Sequence, residues 1–162
     1  MKRIGYALWA VVLVLCLAAC STASHPSPTS TISPEPKEDT TVDTHTFYLT
    51  VEGVTFPATF ADNQGAEALA DLLTDGPLTL SLEDYGGFEK VGSLGQSLPT
   101  SNTHISTQSG DIVLYQGNQI VLFYGSNAWS YTRLGQVTDL TGWQEALGHG
   151  DVTVTFSLTA PH

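Results

Sequence analysis

The stretch DIVLYQGNQIVLFYG, residues 111–125, consists of two apolar runs of strand length bent around Gly117-Asn118. Segments rich in β-branched and aromatic residues on either side of such a pair form a hairpin. The same strand-like character runs through most of residues 46–158. TFYLTV (46–51) and VTFPATF (54–60) flank Glu52-Gly53 as another hairpin, and PLTLSLED (77–84) alternates strictly. FEKVGSL follows the glycine turn at Gly86-Gly87, SYTRLGQV adds a strand, and DVTVTFSL (151–158) is the last. Pro57 has no amide hydrogen to give a ladder, so it marks an edge or a bulge.

Helical spacing occurs twice. In DNQGAEALADLLTDG (62–76), Ala66, Leu69, Ala70, Leu72 and Leu73 form one apolar stripe. Asp62 or Asn63 can cap its start, and Gly76 ends it. TGWQEALG (141–148) opens with Thr141 and Gln144 at capping-box spacing and stops at a glycine. Between residues 95 and 110 the polar GQSLPTSNTHISTQSG reads as a long loop. The element order is therefore β-β-α-β-β-loop-β-β-β-α-β. That pattern predicts a mainly β fold, a closed or nearly closed β-barrel with two short helices over its open ends. The domain spans 46–160, a length suited to one core.

The first residues follow a different logic. Lys2 and Arg3 precede an uncharged apolar run, Ile4 to Ala19, as in a secretory signal. Leu17-Ala18-Ala19-Cys20 resembles the bacterial lipobox. The resemblance implies removal of residues 1–19, a signal peptide, and a diacylglyceryl group on the Cys20 sulfur. Several acyl chains on one residue give stable anchoring to a bacterial cell membrane. With Cys16 removed and Cys20 acylated, the mature domain has no thiol for a disulfide or a metal. Residues 20–45, the lipidated Cys and a Ser/Thr/Pro-rich stretch, read as a disordered tether. If coil-like, it holds the domain on the order of 25–30 Å from the membrane.

Without Lys2 and Arg3 the basic residues are three, Lys37, Lys90 and Arg133, against sixteen acidic ones. Within 46–162 the balance is two against twelve. Such a field repels phosphate backbones and anionic headgroups, so nucleic acid is not an expected partner. The expected partners are the membrane, through the lipid, and a peptide or exported protein.

Gly92-Ser93-Leu94-Gly95 lacks the spacing of a nucleophile elbow, and the histidines at 25, 45, 104, 149 and 162 are scattered. No metal or cofactor is expected. His104, in the polar loop, is of a residue type suited to acid/base chemistry but reads first as a solvated residue. Glu83, Asp84 and Glu89 flank the YGGF turn, and Lys90 can pair locally with Glu83 or Asp84. In AWSYTRLG an extended backbone places Trp129, Tyr131 and Arg133 on one face. A guanidinium beside two rings makes a candidate patch for peptide or acid binding.

The segments DNQGAEALADLL, GPLTLSLEDYGGFEKVGSLGQSLP, GDIVLYQGNQIVLFYG, SYTRLGQV and GWQEALGHGDVTVTF resemble a small bacterial cyclophilin-like family. The resemblance covers nearly all of 46–158 and implies a closed eight-stranded barrel capped by two helices. It also implies a comparison with the proline isomerase cyclophilins, whose F-H-R arginine polarises the prolyl carbonyl. The nearest counterpart is Phe88-Glu89-Lys90-Val91, with Glu for His and Lys for Arg. The Q-G-G-D element is missing, and Tyr131 takes the place of the site histidine. Lysine lacks arginine's planar fork, so the chemistry does not transfer with the fold. The resulting expectation is a ligand groove of Phe88, Glu89, Lys90, Trp129, Tyr131 and Arg133 without assigned catalytic residues. A divergent peptidyl-prolyl cis-trans isomerase acting on exported proteins is the alternative.

Overall fold

A computed structural model describes residues 45–161. The expected signal segment, the expected lipidation site Cys20 and the expected tether up to residue 44 lie outside the described residues. Local turn chemistry starts the fold. Glu52 and Gly53 take left-handed backbones, φ 49° and 81°, and reverse β1 (Thr46–Val51) into β2 (Val54–Phe60). Two successive positive φ angles match the right-handed twist of the flanking strands.

Helix α1 (Gln64–Thr74) is capped by Asn63, whose Oδ1 accepts from the Gly65 and Ala66 amides. The same side chain donates from Nδ2 to the Arg133 carbonyl at 2.7 Å, tying the helix start to the barrel wall. β3 (Leu78–Tyr85) and β4 (Glu89–Ser93) follow. The stretch expected to be loop throughout holds a short strand, β5 (Thr103–Ser106). Its polar sequence carries no strand signal, and pairing with a neighbour supplies the order instead.

β6 (Asp111–Tyr115) and β7 (Gln119–Phe123) make the hairpin. Its turn is centred one residue earlier than expected, on Gln116 (φ 51°) and Gly117 (φ 78°). β8 (Ala128–Val137) is the longest strand. Helix α2 (Trp143–Leu147) starts at Gly142 with no side-chain cap, so the Thr141–Gln144 box does not form there. Asp139 instead accepts the Thr141 amide. β9 (Val152–Ser157) ends the fold.

The sheet order is β2-β1-β9-β3-β4-β7-β6-β8, and β8 returns to β2. Eight antiparallel strands thus close a barrel, with β5 added outside the ring on β8. Closure rests on three residue pairs, Ala58–Val137, Thr59–Gln136 and Phe60–Gly135. Gly135 is required there: a Cβ would lie 2.5 Å from the Thr59 carbonyl oxygen. Pro57 sits just beyond that seam, and its carbonyl accepts from Thr138.

Alternating residues fill the interior, among them Phe47, Leu49, Phe56, Ile112, Leu114, Leu122, Leu134 and Phe156. The helices add Leu69, Leu73, Trp143 and Leu147 to the same cluster. Trp143 is fully buried, edge-on to Phe56 at 5.0 Å, and its indole donates to the Phe123 carbonyl at 2.9 Å. A large ring with its N–H satisfied is a low-cost way to fill a barrel.

Candidate ligand groove

The pairing of β4 with β7 decides which side each β4 residue serves. Lys90 and Gly92 stand opposite Leu122 and Ile120, which belong to the interior core. Glu89 and Val91 stand opposite Phe123 and Val121. These two belong to a second apolar cluster with Val113 and Tyr131. Directly paired residues share a sheet face, so the second cluster lies on the barrel's outer surface. Ile105 of β5 packs on it, and the pairing of β5 with Ala128–Tyr131 raises one wall.

A groove of about 710 Å³ runs over this surface, a volume suited to a small molecule or a peptide segment. Val91 and Val121 contribute apolar surface. Tyr85, Tyr115, Trp129 and Tyr131 bring aromatic rings, and Glu83, Glu89, Gln119 and Asn127 bring polar groups. Tyr131 is held edge-on between Tyr115 (5.9 Å) and Phe123 (5.7 Å). Asn127 donates to its hydroxyl at 3.1 Å. Burial, with the Glu89 charge second, raises the Tyr131 phenol above its ordinary value. Trp129 is the opposite case, 56% exposed and unburdened by packing.

Glu89 is chemically distinct from every other acid here. The residue is 6% exposed, and its Oε2 has no hydrogen-bond partner. Burial pushes its carboxyl up to about 7, because desolvation penalises the charged form. Asp111, equally buried, is satisfied by Arg133 and by the Gln108 amide.

A closed eight-stranded barrel with two short helices and a groove on its outer face invites comparison with known families. The model of the Cyclophilin-like family matches residues 49–157. The chain belongs to that family. Among solved structures, the solution structure of the hypothetical protein AF2241 from Archaeoglobus fulgidus is similar, with a TM-score of 0.53 and 13% identity. The match covers 71% of this chain and 95% of that one. At that identity the similarity shows the fold alone. None of the curated proteins matches.

Within this cyclophilin-like domain the residues expected to form a site separate into two groups. Glu89, Trp129 and Tyr131 line the groove together. Phe88 stands at its margin, packed on the outer cluster and edge-on to Tyr85 at 6.3 Å. Lys90 and Arg133 are not among the lining residues. Lys90 points inward and is fully buried. Its ammonium donates to Asp84 (2.6 Å), to the Gly150 carbonyl (2.6 Å) and to the Gly148 carbonyl (3.2 Å), and lies over the Tyr124 ring. The Lys90 hydrogen bond, then that of Tyr124, holds Asp84 below the usual carboxylate range. The Tyr124 phenol, which donates to Asp84, is pushed up to about 12, first by burial and then by that bond.

Arg133 does keep the outer side, opposite Val113. Its guanidinium, however, is committed to Asp111. A position one residue off in an alternating strand changes sides altogether, and Lys90 is one residue off.

Tyr85, Tyr115, Gln119 and Asn127 were not singled out by sequence. A usable signal existed: DIVLY and QIVLF are apolar at successive positions rather than alternate ones. Uninterrupted runs mean that both faces are covered. The outer face of this hairpin therefore had to meet something besides water.

Proposed function

We propose that this is a lipid-anchored, extracytoplasmic protein whose cyclophilin-like barrel binds a peptide or small ligand in the outer groove, without robust isomerase activity. The observation that carries the reading is the groove's composition: aromatic rings and carboxylates line it, while Lys90 and Arg133 are both bonded elsewhere. Proline isomerisation of the cyclophilin kind needs a cation on the prolyl carbonyl, and neither basic side chain is placed to supply one. Rings with partly exposed faces on a rigid sheet suit recognition, because they offer area at little entropic cost.

The anchor rests on Lys2, Arg3, the apolar run to Ala19 and the lipobox-like Leu17-Ala18-Ala19-Cys20. Among the described residues no helix is long and apolar enough to cross a membrane. A tether from Cys20 to residue 45 would hold the groove clear of the bilayer and accessible to exported partners.

Two measurements test the proposal. A protease-coupled proline-peptide assay on the full chain is expected to show no acceleration over the uncatalysed rate. Acceleration by the wild type would favour the isomerase instead. For the anchor, growth with an alkyne-tagged fatty acid is expected to label the wild type and not Cys20→Ser. Equal labelling of both would remove the lipoprotein reading.

A further inference from the structure

Lys90 and Arg133 are the only lysine and arginine in residues 45–161, and each is bonded to an acid other than Glu89. Glu89 faces the groove, nine-tenths buried, with one oxygen unpartnered. A buried carboxylate is normally hydrogen-bonded or charge-paired, since leaving it bare is costly. Around it, Glu83 lines the same groove from β3, and Tyr85, Tyr115, Trp129 and Tyr131 bring aromatic rings to it. Ring faces attract cations, and acidic surroundings concentrate them. A partner for Glu89 is therefore missing from the domain's own lysines and arginines, and the groove is built to receive one from outside.

We propose that the groove recognises an organic ammonium group carried on an apolar or aromatic body, with the ammonium bonded to Glu89 and the body against the Trp129 and Tyr131 rings. This rests on the reading of the groove as a ligand site and adds the chemical class of the ligand. A free amine and a lysine side chain of a peptide share this chemistry. A neutral ligand of the same shape would leave the Glu89 oxygen unpaired, so the charge itself should carry much of the selectivity.

Calorimetric titration of the full chain in mild detergent tests the inference with four probes. Tyramine is compared with 4-ethylphenol, which keeps the ring and lacks the amine. An N-acetylated, C-amidated Trp-Lys dipeptide is compared with its norleucine counterpart. We expect at least one charged probe to bind about tenfold more tightly than its neutral partner, as befits a charge-assisted hydrogen bond. Which pair shows the preference tells a free amine from a peptide lysine. Glu89→Gln is expected to bring the ratio near one, and Glu145→Gln, an exposed site on α2, to leave it unchanged. Trp129→Ala should weaken all probes that bind while keeping the charged preference. Neutral and charged probes binding equally would overturn the ammonium inference and leave the ligand groove standing. Binding of no probe would overturn the inference as well, and groove-wide amide shifts with unrelated peptides would then still support the broader reading. A charged preference that survives in Glu89→Gln would likewise overturn the assignment to Glu89.

Discussion

Glu89 and Lys90 are consecutive in the chain and stand on opposite faces of one strand. The carboxyl faces the outer groove without a partner on Oε2, and the ammonium fills the interior with three hydrogen bonds. They are the two ionisable residues of one five-residue strand, yet one carries the prospect of function and the other holds the fold.

Glu89 makes stability depend on pH. Its carboxyl has an ordinary value of 4.5 and is raised to about 7 in the folded protein. Between those values the folded state keeps a proton that the unfolded chain has released. The group's contribution is therefore intact below about 4.5, is lost as pH rises to about 7, and is constant above. The loss is about 2–3 kcal/mol, reduced somewhat because the groove admits water. Urea unfolding of wild type and Glu89→Gln at pH 5 and pH 8 checks this. The Gln variant is expected to gain on the wild type at the higher pH, and parallel pH profiles would refute the assignment.

Lys90→Ala is expected to destabilise the domain by about 2–5 kcal/mol, because a fully buried side chain leaves a cavity and Asp84 and the Gly148 and Gly150 carbonyls lose their donor. Lys90→Met keeps the volume but not the charge and should recover only part of the loss. Thermal unfolding of the three proteins gives the ranking.

Arg133→Ala leaves Asp111 buried without its cation. A loss of about 2–4 kcal/mol is expected, with groove binding affected only as far as folding is. A double variant, Asp111→Asn with Arg133→Ala, should recover stability. Chemical denaturation of single and double variants measures the coupling.

Trp129→Ala should change stability by less than about 0.5 kcal/mol, since the ring is largely exposed. Its effect belongs to ligand binding, about 1–2 kcal/mol for an aromatic contact. Trp143→Ala should do the reverse, costing about 3–5 kcal/mol of stability through the interior cavity it opens. Measuring unfolding and binding on both variants separates the two tryptophans.

Much of the barrel was legible beforehand because its signals are local. Period-two runs, the Glu52-Gly53 turn and the Asn63-capped stripe each act within a few residues. β5 was missed because its polar residues are strand only by virtue of β8 beside them. The α2 capping box failed for a similar reason, with Asp139 taking the Thr141 amide.

The sequence by itself determined a β-rich barrel, its helices, an acidic domain with two basic side chains, and the presence of Trp129, Tyr131 and Glu89 as candidates. Only the tertiary structure decided where the charges went. Register between β4 and β7 sends Glu89 outward and Lys90 inward, and packing against Asp111 removes Arg133 from the groove. Side-chain facing has a period of two, whereas charge in the sequence has no side. The acids that give these cations their meaning are brought to them by strand pairing, Asp84 to Lys90 across β3 and β4 and Asp111 to Arg133 across β6 and β8.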